Sequence, residues 1–389
     1  MTPRGWCPSL LTPMPADDGL LVRVKPTAAQ LSATQLAGIA EAAAREGNGQ
    51  VQLTSRANLQ VRGLTAASAE RFARVVLDLG LSASSAPAEQ VRNVLSAPLA
   101  GADPTAHDVR PFAVALETLL VAGPGCHALP AKFGFSVDGG GLAVLPRSAD
   151  ILVELCAEGA AIALADATLA HRCAATPAAV CEAASALIAV FLAEGAKRMR
   201  HLVSRLGAER IFAAAGLTAA PFVPAEPRPL PLGFTAYNDR FESRPVIPDA
   251  LQHGVLPRRS GTLCRSAPTP DQHRTATRCG ASGVTRGDEE GFAGVADETN
   301  SSAARRTNFG CFVAALPHGR GDARQLALLA DAAERHGNGR LATTPWRAFA
   351  LPAVGEPAPL AVLCAAAGFI LDPADPRAAT IERAAELTA

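Results

Sequence analysis

Residues 49–63 read GQVQLTSRANLQVRG. By parity, Val51, Leu53, Ser55, Ala57, Leu59 and Val61 fall on one side, and Gln50, Gln52, Thr54, Arg56, Asn58, Gln60 and Arg62 on the other. Side chains alternate between the two faces of a strand, so the pattern predicts one half-buried strand over 50–62 with a single apolar face. The second face carries amides, a hydroxyl and two guanidiniums, and no carboxylate. Such a donor-rich face suits an anionic ligand, because the planar fork of arginine binds carboxylates bidentately. It equally suits the solvated outer face of a sheet.

Working outward, Leu20, Val22 and Val24 alternate with Leu21, Arg23 and Lys25, which predicts a strand over 20–25. Residues 33–45 place Leu36, Ile39, Ala40 and Ala43 at helical spacing, and Gly47-Asn48-Gly49 stops that helix. Residues 20–62 therefore read as strand, helix, strand. The unit recurs. Subtracting 290 from the numbers of 311–351 aligns the two segments without a gap: Gln325-Leu326 on Gln35-Leu36, Leu329-Ala330 on Ile39-Ala40, Gly337-Asn338-Gly339 on Gly47-Asn48-Gly49, and Thr344 on Thr54. Two copies make a pseudo-twofold pair rather than a solenoid, which needs three or more units.

The copies differ on the polar face. Ser55, Arg56, Asn58 and Gln60 correspond to Pro345, Trp346, Ala348 and Ala350. A face that is merely solvated has no reason to turn apolar in one copy, so the first copy is the better candidate for a site.

The remaining composition sets bounds. The 389 residues are 49% hydrophobic, enough for two or three domains with a sizeable core. Lys plus Arg equals Asp plus Glu, 36 of each, which leaves no electrostatic footprint for nucleic acid or an anionic membrane. The most apolar stretch, 178–195, is interrupted by Glu182 and Glu194 and reads as an amphipathic helix rather than a membrane span. The opening MTPRGWCPSL lacks a basic-then-apolar leader pattern, which predicts a cytoplasmic protein. Nine cysteines, at 7, 126, 156, 173, 181, 264, 279, 311 and 364, include no close pair. That argues against a disulfide framework or a structural zinc site.

Between the copies, Phe112 to Val121 is an apolar run, Lys132 to Val137 and Ile151 to Ala157 read as strands, and Pro177 to Ala193 and Lys197 to Ala215 as helices. Residues 217–310 begin with Pro221, Pro224, Pro227, Pro229 and Pro231, and 257–308 is polar and aperiodic, the composition of a linker or disordered insertion.

Several stretches together resemble the siroheme-dependent sulfite and nitrite reductases. LTSRANLQ (53–60) is similar to a tetrapyrrole-contacting strand of that family, RNVLSAPLAG (92–101) to its arginine–asparagine loop, and LPAKFGFSV (129–137) to its lysine-bearing strand. RGWCPSLLTPM (4–14), DDGLLVRV (17–24), RMRHLVSRLG (198–207), LPHGRGDARQL (316–326), TTPWRAF (343–349) and GFILDPADPR (368–377) resemble the branch that acts on precorrins in aerobic cobalamin synthesis.

The resemblance implies an α/β (α+β) fold in which two ferredoxin-like nitrite/sulfite reductase half-repeats flank a mixed α/β domain. The corresponding boundaries are a first repeat at 1–85, the α/β domain at 86–216, a Pro-rich and polar linker or insertion at 217–308, a second repeat at 309–372 and a tail at 373–389. It also implies an anionic tetrapyrrole substrate rimmed by acetates and propionates, O2-dependent hydroxylation of that ring, an NADH-linked electron donor, a [4Fe-4S] cluster and a mononuclear iron. Siroheme is the cofactor in the alternative, reductase reading. A binder without turnover is the third reading.

By position, Arg23, Arg56, Arg92 and Lys132 match the basic residues around the ring, and Thr54, Asn58, Gln60 and Asn93 are the polar residues beside them. Two departures stand out. Gly134 occupies the place of a second lysine that flanks the phenylalanine in the reductases, where oxyanion reduction calls for several cationic donors. The cluster-binding cysteines, spaced CxxxxxC then CxxxC, have no counterpart in this sequence, whose last cysteine is Cys364. Catalytic residues and iron ligands are not identifiable from the sequence; His127, near Lys132, reads as a plain loop histidine.

Overall fold

The computed structural model describes residues 7–237 and 309–379. The first half begins with β1 (Met14–Ala16), β2 (Gly19–Val24), β3 (Gln30–Ser32), α1 (Ala33–Glu46), β4 (Gln50–Leu53), β5 (Leu59–Leu64) and α2 (Ala66–Asp78). The middle region follows with α3 (Ala86–Val91), β6 (Val94–Ser96), α4 (Arg110–Ala122), β7 (Phe135–Asp138), β8 (Ile151–Cys156), β9 (Gly159–Leu164) and β10 (Leu169–Cys173). It continues through α5 (Pro177–Ala193), α6 (Met199–Leu206), α7 (Ala208–Ala214), β11 (Ala220–Pro221) and β12 (Gly233–Ala236). The second half contains β13 (Gly310–Ala315), β14 (Arg320–Asp322), α8 (Ala323–His336), β15 (Arg340–Thr343), β16 (Ala348–Val354) and α9 (Pro357–Ala366).

The stretch 49–63 is a hairpin, not one strand. β4 and β5 pair antiparallel, Leu53 opposite Leu59 and Gln52 opposite Gln60, around a turn at 54–58. Parity survives because Leu53 and Leu59 are six apart, so both arms keep the same phase. The apolar side of each arm lies in the core; the tip residues Arg56 and Asn58 leave the sheet and enter a turn. Ala57 holds a left-handed φ of 55°, and Arg347, its mate 290 residues on, holds 58°. A left-handed residue other than glycine is uncommon, and its recurrence shows how closely the tips match.

The repeat is reciprocal in space. One sheet runs β1-β2-β5-β4-β14 and a second runs β12-β13-β16-β15-β3. Each half thus lends a short strand to the edge of the other's sheet. Ser32 pairs with Arg340 while Asp322 pairs with Gln50, and Ala33 N donates to Gly339 O as Ala323 N donates to Gly49 O, both at 2.8 Å. Helices α1 and α8 begin at equivalent residues with equivalent capping boxes, Ser32 with Gln35 and Asp322 with Gln325. The two helices pack together, and Ala40 and Ala43 from one half and Ala330 and Ala333 from the other are buried within a core shared by both. Burial of that common core, rather than a linker, holds the halves together.

The middle sheet runs β11-β10-β9-β8-β7-β6, parallel from β6 to β8 and antiparallel beyond. The expected strand at 132–137 starts later, at Phe135, so Lys132 lies in the preceding turn. The apolar run 112–121 is helical, and the helix expected over 197–215 is divided by Gly207, which adopts φ 80°. Residues 217–237 are not wholly linker. β11 extends the middle sheet, β12 pairs with β13, and Leu230 is buried. The insertion read at 257–308, with Cys264 and Cys279, lies outside the described residues, as does 380–389 of the tail; Ala378 is buried. No helix among the described residues is long and apolar enough to cross a membrane.

The asymmetry of the two faces now has a physical cause. On the second-half sheet, Val313, Ala342, Trp346, Ala348 and Ala350 are covered by Leu95, Leu99, Leu145, Leu230 and Ile370. On the first-half sheet the equivalent positions are polar, and all but the buried Asn58 stay partly exposed. Register places Arg320, Gln52, Gln60 and Arg23 side by side across four strands, all partly or fully exposed.

Candidate functional site

A cleft with about 480 Å³ of empty space, counting its open mouth, lies where the first hairpin tip meets the middle region. Its walls come from the end of β2 and the residues after it (Lys25), the hairpin tip (Arg56, Asn58), the α3–β6 junction (Arg92, Asn93), α4 (Glu117) and the loops before β7 and β8 (Lys132, Gly134, Ser148). Five of the eight residues expected from the sequence line this cleft. Arg23 and Gln60 lie instead on the open sheet face, and Thr54 holds the hairpin tip.

Thr54 is a fastening of the turn rather than a free donor. Its hydroxyl accepts from the backbone of Arg56 and Asn58 at 3.3 and 3.2 Å, and its backbone N donates to Asn58 O at 2.9 Å. Thr344 repeats two of these contacts in the second copy. Thr54→Ala is therefore expected to cost about 1 kcal/mol of stability, read as a lowered urea midpoint. A midpoint equal to that of the unmodified protein would remove this assignment.

Arg56 is different. It is partly buried, no carboxylate pairs with it among the described residues, and the hydrogen bond of its side chain there is a long 3.4 Å contact from Nη2 to Lys132 O. Burial pushes its pKa down; Cys7 and Asp150 oppose this, and Arg198 adds to it. Arg23, close to Cys7 and Arg56, is likewise lowered by burial first, and its buried Nε has no hydrogen-bond partner among the described residues. Lys132 is exposed at the rim. Among the described residues none of these three cations is in an ion pair with a carboxylate, which leaves their charge available to an incoming polyanion.

Arg92 and Asn93 are placed at the cleft, but their donors are already spent. The Arg92 guanidinium donates from Nε to Glu89, from Nη1 to Thr27 and Glu117, and from Nη2 to Glu89 and the carbonyls of Lys25 and Leu81, at 2.8–3.3 Å. All five N–H groups of an arginine are used in such a set. Burial opposes its charge, yet Glu117 and Glu89 more than restore it, so its pKa is raised. Glu117, itself buried, is pushed up by desolvation against the pull of Arg92. The Asn93 amide donates to the carbonyls of Gln90, Ala131 and Phe133 at 3.0–3.1 Å, tying the α3–β6 junction to the lysine loop. Both residues, expected from the sequence as ligand donors, shape the wall with those donors engaged inside the protein.

Parity reasoning put Lys25 beside Arg23 but did not select it. It is 5% exposed, lines the cleft, and donates from Nζ to Glu89 O at 2.6 Å and Gln90 O at 3.2 Å. Glu89 lies three residues before Arg92, which is helix-face spacing visible in sequence; no sequence signal pairs Glu117 with either. Arg320 was missed because only strand exchange carries it onto the first half's sheet.

Gly134 offers no side chain to the cleft and has little room for one. A Cβ there would lie 3.1 Å from Asn93 O, and its N–H is taken by Asp150 at 3.1 Å. Asp150, fully buried, also receives Arg198 and the backbone N of Met199. The His127 ring contacts Val121 O at 3.1 Å, a loop role. Among the described residues no three His, Cys, Asp or Glu side chains are placed to hold a metal ion, so those residues do not form a cluster or iron site.

Comparison with known proteins agrees with this architecture. The profile of the nitrite/sulfite reductase ferredoxin-like half domain matches residues 13–77 and again 291–357. The chain thus carries two nitrite/sulfite reductase ferredoxin-like half domains. Among named proteins, a precorrin-3B synthase of Sinorhizobium sp is 42% identical over 139 residues, which are 36% of this chain and 29% of that protein. The solved structure of the Mycobacterium tuberculosis NirA protein superposes with a TM-score of 0.62 at 16% identity, over 92% of this chain and 58% of that one. At that identity the likeness is one of fold.

Proposed function

We propose that the cleft and the adjoining open sheet face bind a carboxylate-rimmed tetrapyrrole, and that the chain serves cobalamin synthesis as a precorrin-3B synthase-type protein. The observation that carries this reading is Arg56, a partly buried guanidinium without a carboxylate, at the mouth of a cleft whose buried charges are otherwise matched. Similarity to a precorrin-3B synthase supports a precorrin as the ring. The finer activity is O2-dependent hydroxylation of precorrin-3A with electrons from an NADH-linked donor. The chain's own part is to hold the ring by its carboxylates: Arg56 and Lys132 at the mouth, Arg23 and Gln60 along the sheet, and Arg92 and Asn93 stiffening the wall. These side chains bind and orient; none of them activates O2 by itself. Sulfite or nitrite reduction is less well supported, because position 134 supplies no second cation for a small oxyanion.

Uroporphyrin, an octacarboxylate porphyrin, tests the binding reading by fluorescence quenching. It is expected to bind, with affinity falling as salt is added, while its octamethyl ester does not. Equal binding of acid and ester would overturn the reading. Incubation with precorrin-3A, NADH, a reductase and O2 then separates turnover, seen as gain of one oxygen atom, from binding alone.

A further inference from the structure

Resting on the cleft as an anion site, we infer that Lys25 takes up a proton when an anionic ligand enters, so that ligand binding and protonation are coupled. Four charged side chains form one buried cluster behind the cleft wall: Lys25 from the end of β2, Glu89 from α3, Arg92 just after it, and Glu117 from α4. Each is at most 6% exposed. With Lys25 charged, two carboxylates face two cations and the cluster is neutral. With Lys25 neutral, it keeps one net negative charge against a cleft meant for carboxylates.

The hydrogen bonding permits either state. The ammonium nitrogen makes two hydrogen bonds among the described residues, both to carbonyls at the end of α3. A neutral amine retains two N–H donors and can keep both. The third hydrogen is the one that comes and goes, on a residue that lines the cleft.

The surroundings set the balance. Burial pushes Lys25 down to about 7; Glu89 and, more weakly, Glu117 favour its charge, while Arg92 and Arg23 oppose it. Arg56 and Lys132 line the same cleft, and Arg23 lies on the adjoining sheet face. A polycarboxylate entering there offsets those cations and favours the ammonium. The third proton then bonds or faces the ligand, and the cluster is neutral.

Calorimetry on the unmodified protein reads this directly. Uroporphyrin is titrated in buffers of different ionisation enthalpy at about pH 8 and about pH 6.5, on either side of the Lys25 transition. The expected result is uptake approaching one proton per ligand at the higher pH and a smaller uptake at the lower. Between them the affinity falls by at most about tenfold per pH unit. Lys25→Arg, which stays charged, is expected to bind with the extra uptake abolished and the pH dependence flattened. Binding without proton uptake at about pH 8, or uptake unchanged in Lys25→Arg, would overturn the inference and leave the anion site standing. Absence of uroporphyrin binding at either pH would remove the site reading and this inference with it.

Discussion

Arg92→Ala is expected to lower the stability of the protein by about 3–5 kcal/mol. Removing the guanidinium leaves Glu89 and Glu117 buried, 0% and 6% exposed, with Lys25 as the only cation of the cluster to face them, and leaves the carbonyls of Lys25 and Leu81 without a donor. An uncompensated buried charge is costlier than a lost contact, because it forfeits hydration and receives nothing in return. The network also joins elements distant in sequence: the end of β2, α3 and α4 are tied together here by Arg92, Thr27 and Glu117. Arg92→Lys is not expected to rescue it, since an ammonium cannot reproduce a planar fork that serves acceptors on several sides. Urea denaturation gives the answer. A midpoint close to that of the unmodified protein would show that the cluster is not a structural element, and Arg92 would again count as a ligand donor.

Arg56→Ala is expected to do the reverse: weaken uroporphyrin binding at least tenfold, about 1.4 kcal/mol, while changing stability by no more than about 0.5 kcal/mol. Its guanidinium gives the folded protein only a 3.4 Å contact to Lys132 O. Against a ligand carboxylate the same group can make paired, charge-assisted hydrogen bonds from a partly desolvated position, where they are stronger than in water. Arg56→Lys should recover part of the loss through charge alone. Unchanged affinity in Arg56→Ala would mean that the polar tip is solvated surface. Together the two variants separate cations that build the cleft from cations that use it.

Much of the scaffold was legible because its signals are local. The helix stop at Gly47-Asn48-Gly49, its repetition at Gly337-Asn338-Gly339, and the buried sides of β4 and β5 follow from chain geometry and residue type. The hairpin was not legible. A turn that leaves Leu53 and Leu59 in phase keeps strict alternation running through it, so periodicity cannot tell one long strand from two short ones. The exchanged strands β3 and β14 are three residues each, too short for any pattern, and the strands they pair with, β15 and β4, belong to the opposite half of the repeat. The site divides in the same way. That arginines and amides gather on one face of the first copy could be read from parity, and Arg92, Asn93 and Lys132 were added by the resemblance; which of them are free could not be read. Arg56 and Arg92 look alike in sequence, and only their partners distinguish them.

The sequence by itself determined the doubled strand-helix-strand unit and its apolar faces, because helix and strand periodicities are imposed by neighbouring residues along the chain; its ferredoxin-like class was what the resemblance implied. It also determined that one copy kept a polar face and the other lost it. Only the tertiary structure decided why: the second sheet's face is the one covered by the middle region, where burial rewards Trp346 and Ala350, and the first is left open for Arg23, Gln60 and Arg320. It likewise decided the role of each charge. Whether a cation is a strut or a hand held out depends on carboxylates that approach from elements far apart in sequence, as Glu117 does for Arg92, whereas among the described residues only the Lys132 carbonyl, at 3.4 Å, reaches the Arg56 guanidinium.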